Sequence, residues 1–156
     1  NSKFFDVLKT LLLSAKNINY KPNMQETIVL DLDGTIVYDG SWDNLILPVV
    51  KFINYCHNHG IKIIIVTARP GYENNVNKTK ESLTNKSIIC DRFFFLKPDF
   101  KNVRLFKTNA REYITKNLKL NILMSIGDND WDMGEYGGLG VLMNASQDNI
   151  TYKILS

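Results

Sequence analysis

The sequence has few cysteines and no long apolar run, and both absences limit what the protein can be. Its 156 residues include two cysteines, Cys56 and Cys90, which are too few for a disulfide framework or a cysteine-based metal site. No apolar stretch approaches the roughly 20 residues that a membrane-spanning helix needs. We therefore expect two free thiols in a protein that does not cross a membrane, and a cytoplasmic location is favoured.

Blocks of like charge are also missing. Lysines and arginines number 19, aspartates and glutamates 16, and the net charge is +3. Because the lysines are scattered, the pattern is typical of an ordinary solvated surface, and it permits polyanion binding without indicating it. No linker, repeat or low-complexity tract divides the sequence, so a chain of this length predicts one domain.

What the sequence does contain is short apolar runs separated by helical patterns. Five runs predict strands, at residues 27–30, 61–66, 92–96, 120–126 and 139–143. Their alternation with helices predicts an α/β, Rossmann-like fold, with a doubly wound, mainly parallel five-stranded sheet and helices on both faces. The single domain would span residues 1–156, with an N-terminal helix and connector (1–23), a catalytic core (24–145) and a terminal helix (146–156).

The first apolar run ends in Asp31-Leu32-Asp33-Gly34-Thr35. In an extended chain Asp31 and Asp33 point to the same side. Two neighbouring carboxylates repel each other unless a proton or a cation lies between them, and Mg²⁺ suits such oxygen ligands. Gly34 lets the backbone turn sharply away. The alternative interpretation is a strand end followed by an ordinary Asp-Gly turn.

Polar residues follow two further strands. Thr67 comes directly after the second apolar run, and Asp128 and Asp132 follow the fourth. The carboxyl ends of parallel strands meet at one edge of the sheet, so Asp31, Asp33 and Asp128 form a candidate Mg²⁺ site. Asp132, one helical turn beyond Asp128, would complete that site by orienting a ligand or a bound water. The alternative is an acidic loop that only caps a helix.

These motifs, in this order, resemble the haloacid dehalogenase-like (HAD) hydrolases over roughly residues 26–144. The family pattern is Asp-x-Asp-Gly-Thr, then Thr or Ser, then a lysine, then Gly-Asp-x-x-x-Asp. Here it is matched by the stretch 31–35, Thr67, a lysine, and Gly127-Asp128 with Asp132. The stretches at residues 106–111 and 126–133 are similar to the acid-phosphatase branch, subfamily IIIB.

The resemblance implies a Mg²⁺-dependent phosphomonoester hydrolase with a phosphoaspartate intermediate. Asp31 would attack phosphorus, and Asp33 would protonate the leaving oxygen and then activate water. Thr67 would hydrogen-bond the phosphoryl oxygens, and Gly34 and Ala68 would line the substrate site. Mg²⁺ and the lysine would neutralise charge on the transferring group.

The identity of the lysine is open among Lys97, Lys101 and Lys107. We choose Lys107, because the acid-phosphatase branch has a lysine at comparable spacing before its acidic motif. An ordinary surface lysine is the alternative for each of the three. Arg69, two residues after Thr67, could bind a second anionic group of the substrate or could be a solvated turn residue.

The intervals between motifs are too short for a cap domain, so we expect an open site. Its substrate would be a phosphorylated small molecule or nucleotide. The alternative is a phosphatase acting on nucleic-acid ends, although the sequence has no recognisable aromatic and basic groove. A third hypothesis is a non-catalytic phosphate-binding module, which would require the loss of a motif residue, and none is lost.

Overall fold

Five strands of the central sheet run parallel, and a sixth runs antiparallel at one edge. The computed structural model describes residues 2–38, 40–146 and 149–155. The strands are β1 (Gln25–Leu30), β2 (Lys62–Pro70), β3 (Arg92–Leu96), β4 (Leu120–Gly127), β5 (Leu139–Ser146) and β6 (Asn149–Leu155). Their order in the sheet is β3-β2-β1-β4-β5-β6, so β1 lies in the middle with β2 and β4 on either side.

Helices cover both faces of the sheet, as predicted. They are α1 (Ser2–Ile18), α2 (Leu47–Asn58), α3 (Glu73–Asn85) and α4 (Val103–Lys116). Helices α1 and α2 pack against each other and share one core with the sheet, whereas α4 forms a second core on the opposite face. The parallel sheet with helices on both faces confirms the expected Rossmann-like architecture. The described residues contain no cap domain.

The continuous apolar runs are explained by this double cover. In β1, Ile28 and Leu30 belong to the core with α1 and α2, and Val29 between them belongs to the core with α4. In β2, Ile63 and Ile65 alternate with Ile64 in the same way. A strand that is buried on both faces needs apolar residues at every position.

The predicted terminal helix over residues 146–156 is wrong, and the sheet has six strands rather than five. Residues 149–155 form β6, which pairs with β5 from Ser146 opposite Asn149 to Gly140 opposite Leu155. The segment is rich in β-branched and aromatic residues, which fit a strand better than a helix. Residues 147 and 148, and the last residue, lie outside the described part of the chain.

A small flap follows the first motif, formed by residues 36–38 and 40–46. Val37 bridges to Asp33 on one side and to Leu45 on the other. The Ile46 N–H donates to the Ile36 carbonyl at 2.8 Å, which closes the base of the flap. The flap is much smaller than a cap domain, as the short interval between the first two motifs predicted. Residue 39 lies outside the described residues.

Both cysteines are free, with Cys56 in the core and Cys90 partly exposed. Burial raises the pKa of each thiol to about 12, so neither is a reactive thiolate at neutral pH. Within the described part of the chain, none of the helices combines the length and the apolar character needed to cross a membrane.

Helix α1 should be an integral part of the fold. Leu8 is fully buried in the core, whereas Leu13 in the same helix is 64% exposed. We expect Leu8→Ala to lower the free energy of unfolding by about 3 kcal/mol, because it leaves a cavity. The matched change Leu13→Ala should cost less than about 0.5 kcal/mol. Urea unfolding of both variants measures this, and equally small losses would contradict the packing of α1.

Candidate active site

The first motif turns the chain at the carboxyl end of β1. The Leu32 carbonyl accepts hydrogen bonds from the N–H groups of Thr35, Ile36 and Val37, which makes the turn tight. Gly34 has a φ of +81°, and a Cβ there would collide with the Asp128 carboxylate. Its N–H donates to the Val37 carbonyl at 2.8 Å. The glycine thus makes room for Asp128, and its place in the substrate site stays a prediction.

Three carboxylates meet at this edge of the sheet. Asp31, Asp128 and Asp132 each offer one oxygen within 4.8 Å of the others. Asp132 belongs to a short 3-10 helix (Asp130–Asp132), and its Oδ2 accepts from the Asn129 N–H at 3.1 Å. A Cβ at Gly127 would collide with the Asp132 side chain, so a glycine is required before the acidic segment. We refer to these three residues as the acid group.

Lys107 reaches the acid group from α4. Its Nζ lies 2.8 Å from Asp31 Oδ1 and 2.6 Å from the Val66 carbonyl oxygen, and it donates hydrogen bonds to both. The same Nζ forms an ion pair with Asp132 Oδ1 at 2.7 Å, without the alignment of a hydrogen bond. The Lys107 side chain is 2% exposed. Lys97 and Lys101 lie exposed before α4, so the structure brings only Lys107 of the three candidates to Asp31.

The acid group carries more negative charge than Lys107 balances. Burial, together with a hydrogen bond to Asp31 and the charges of Asp31 and Asp132, raises the pKa of Asp128 to about 7. Burial and the Asp31 charge raise the pKa of Asp132 to about 6, although Lys107 opposes this. Hard oxygen donors with surplus negative charge fit Mg²⁺, so these residues could hold the predicted ion.

The side chain of Asp33 pairs with Arg69 and is not one of the three acids of the acid group. Its two carboxylate oxygens accept hydrogen bonds from Arg69 Nε and Nη2, each at 2.8 Å. The planar guanidinium offers two parallel donors that match a carboxylate, and the role of Asp33 at a metal stays a prediction. Arg69 Nη1 also donates to Thr79 Oγ1 at 3.2 Å, and the Trp42 ring of the flap lies 5.4 Å from the guanidinium carbon. Arg69 is therefore not a solvated turn residue.

Thr67 and Ala68 lie in the carboxyl-terminal half of β2, which continues to Pro70, four residues beyond the predicted strand end. Thr67 is buried, and its Oγ1 accepts a hydrogen bond from the Arg69 N–H at 3.1 Å. It directly follows Val66, whose carbonyl binds Lys107, so Thr67 is close to the acid group. Ala68 is exposed, where the pairing of β2 with β3 changes register.

Arg111 is a residue of the site that sequence reasoning missed. Its side chain is buried and donates to the carbonyl oxygens of Trp131, Met133 and Glu135 at 2.9, 3.1 and 3.0 Å. The guanidinium thus fixes the loop that follows the acid group. Its spacing could have indicated this role. Arg111 lies four residues after Lys107 and therefore on the same face of α4.

A doubly wound sheet with three acids and a buried lysine at its carboxyl edge defines a HAD-like hydrolase. The family model of the HAD superfamily, subfamily IIIB (acid phosphatase), matches residues 37–152. The chain belongs to this family, which confirms the expected resemblance and the phosphatase class. The matched range includes Thr67, Lys107 and the acidic segment, and it begins just after the first motif. No curated protein matches the chain.

Two solved structures share the fold. One, described as "Structure of Pnkp1/Rnl/Hen1 complex", has a TM-score of 0.60 and 18% identity over 72% of this chain and 42% of that chain. The other, "Structure of the Pnkp1/Rnl/Hen1 RNA repair complex", has a TM-score of 0.59 and 17% identity over 72% of this chain and 39% of that chain. The chain thus spans about two fifths of the length of these relatives, and the likeness concerns the fold alone.

Repulsion within the acid group leads to a prediction for Asp128→Asn. At pH 8 an ionised Asp128, whose pKa is raised, destabilises the metal-free fold, so the neutral isostere should raise the metal-free Tm by about 3 °C. The stabilisation that Mg²⁺ gives the parent protein should be largely lost. Thermal unfolding with and without Mg²⁺ measures both. Asp130→Asn, an exposed neighbour, is the control, and a lower metal-free Tm with an intact Mg²⁺ response in Asp128→Asn would contradict this account.

The contacts of Arg111 predict that a lysine cannot replace it. In Arg111→Lys one nitrogen must serve three separate carbonyls, so buried acceptors lose partners and unfolding should become easier by about 2–4 kcal/mol. Because the acidic loop loosens, Mg²⁺ affinity measured by calorimetry should fall about tenfold. Arg104→Lys, on the exposed face of the same helix, should change neither quantity. Unchanged Mg²⁺ affinity in Arg111→Lys would refute the positioning role.

Proposed function

We propose that the protein is a Mg²⁺-dependent phosphomonoester hydrolase that works through a phosphoaspartate on Asp31. The observation that carries this proposal is the 2.8 Å contact between the buried Lys107 Nζ and Asp31 Oδ1, at the edge of the sheet that also holds Asp128 and Asp132. Lys107 holds one oxygen and so fixes the plane of the carboxylate. An oriented carboxylate beside hard oxygen ligands is what in-line attack on a phosphate ester requires.

The reaction would proceed in two steps. An Asp31 oxygen bonds to phosphorus while the bond from phosphorus to the ester oxygen breaks, and that oxygen takes a proton from Asp33. Asp33 then removes a proton from water, whose oxygen attacks the acyl phosphate, releases inorganic phosphate and restores Asp31. Because Arg69 occupies both oxygens of Asp33, this pair has to open before Asp33 can act.

The other residues would bind charge on the phosphate. Among the described residues, Thr67 Oγ1 accepts a hydrogen bond from the Arg69 N–H and donates none, so its own proton can be donated to a phosphoryl oxygen. Arg69 would exchange Asp33 for the substrate phosphate, and Ala68 would line the site beside it. Mg²⁺ held by the acid group would neutralise charge on the transferring group.

The open site supports a broad substrate class, a phosphorylated small molecule or nucleotide. The alternative, a phosphatase acting on nucleic-acid ends, gains support from a surface groove lined by aromatic residues beside α4. The description of one solved relative names an RNA repair complex, and that of the other names the same three components. Both descriptions are consistent with a phosphatase acting on nucleic-acid ends.

Asp31→Asn tests the proposed nucleophile. The parent protein with Mg²⁺ should release phosphate from p-nitrophenyl phosphate, and chelation of the metal should stop the reaction. The variant should lose about a thousandfold or more in kcat, because an amide oxygen cannot form the acyl phosphate. Steady-state release of p-nitrophenol gives these rates.

Asp6→Asn, an exposed position on α1, is the control for the loss of one carboxylate, and it should keep the parent rate. Equal turnover by Asp31→Asn and the parent would show the nucleophile assignment to be wrong. A parent protein that binds Mg²⁺ but releases no phosphate from aryl phosphates, nucleotides or oligonucleotides would favour the non-catalytic phosphate-binding module instead.

A further inference from the structure

A groove of about 500 Å³ runs along one side of α4 and is lined mainly by aromatic rings. It lies between the end of β3, the loop after it and the first three turns of α4. Its lining, which we call the aromatic groove, consists of Phe94, Phe95, Lys97, Phe100, Phe106, Asn109, Ala110 and Tyr113. The groove was not recognisable in the sequence, because its lining residues come from three separate segments.

The rings of the groove are more accessible than core aromatics. Tyr113 is 40% exposed, and Phe94, Phe100 and Phe106 are only partly buried, whereas the Phe95 ring stacks on that of Phe93. Aromatic side chains are normally buried in monomeric proteins, and a contiguous accessible group of them marks a binding surface. The flat faces of the rings favour a ligand that is itself flat.

The charge around the groove favours an anionic ligand. Lys97 lines it, and the Arg92 guanidinium carbon lies 5.3 Å from the Phe94 ring centre and 5.7 Å from that of Tyr113. No carboxylate belongs to the lining among the described residues. The exposed amide of Asn109 offers both a donor and an acceptor. Aromatic faces with flanking cations are the features that bind single-stranded nucleic acid, where bases stack and phosphates pair with cations.

Two residues of the groove lining are neighbours of residues at the proposed active site. Phe106 lines the groove, and the next residue, Lys107, contacts Asp31. On the other side, Phe94 pairs with Val66 across β2 and β3, and the Val66 carbonyl also binds Lys107. A strand that extends from the groove along α4 toward Lys107 would bring its end to the acid group.

We propose that the aromatic groove binds single-stranded nucleic acid and presents its terminal phosphate to Asp31. This inference rests on the proposed function and narrows its substrate to the ends of oligonucleotides. Tyr113 and Phe100 would stack on bases, and Lys97 would pair with a backbone phosphate.

Binding can be measured by fluorescence anisotropy with a labelled single-stranded oligonucleotide of roughly eight nucleotides that carries a 3′-phosphate, in the presence of a chelator. Tyr113→Ala should weaken binding on the order of tenfold through lost stacking. Lys97→Gln should weaken binding by less. It should also lower the slope of log K against log salt concentration by about the amount expected for one phosphate contact. Tyr20→Ala, a 70% exposed tyrosine outside the groove, is the control and should bind as the parent does.

Kinetic measurements distinguish a role of the aromatic groove in oligonucleotide binding from a role in phosphate hydrolysis. With Mg²⁺, Tyr113→Ala and Lys97→Gln should keep the parent rate on p-nitrophenyl phosphate, while kcat/KM on the 3′-phosphorylated oligonucleotide falls by the same factor as the affinity. Normal aryl phosphate hydrolysis without oligonucleotide binding would overturn the groove proposal.

Two other results have distinct meanings. If both groove substitutions left oligonucleotide binding unchanged, the proposal would also be overturned. The aromatic groove would then suit an apolar segment of a protein partner. Groove-dependent binding by a protein that hydrolyses neither substrate would support the groove and contradict the proposed function. Because Lys97 is exposed, Lys97→Gln should fold normally and tests the groove even if Tyr113→Ala is unstable.

Discussion

The arrangement of the site depends on the buried ammonium group of Lys107. A lysine removed from water is costly unless opposite charges and hydrogen-bond acceptors replace the lost solvation. Asp31 after β1, Asp132 after β4 and the Val66 carbonyl within β2 surround the nitrogen at 2.6–2.8 Å. Lys107 therefore ties α4 to the carboxyl ends of β1 and β2 and to the 3-10 helix. A shift in any of them would leave a buried charge without a partner.

The same lysine leaves the acid group incompletely balanced. Three carboxylates face one ammonium, and burial together with their mutual repulsion keeps the pKa of Asp128 far above that of an ordinary aspartate. Arg111 lies nearby, but its hydrogen bonds go to backbone carbonyls of the loop, so it fixes the geometry of the acids without pairing with them. Surplus negative charge in a rigid setting is the condition under which a small divalent cation binds well.

Sequence patterns predicted the features that depend on one segment at a time. Buried runs gave the five parallel strands, and parallel topology alone placed Asp31, Thr67 and Asp128 at one edge. The features that escaped prediction require contacts between distant segments, such as Asp33 with Arg69, 36 residues apart. Strand β6 belongs to the same class, because the pairing offered by β5 decides its structure. The aromatic groove also became visible only when β3 and α4 were brought together.

The described residues contain no cap, and we expect the pair of Asp33 and Arg69 to govern access to the site. The flap lies over this pair, with Gly40 close to both side chains and Trp42 against the guanidinium. A phosphate that competes for Arg69 would release Asp33, so the proton donor would become available only once substrate is bound. Selectivity would then come from two sources: the exchange of partners at Arg69, and the surface beside α4 that holds the rest of the substrate. An open HAD site that lacks a cap to recognise its substrate needs such a neighbouring surface.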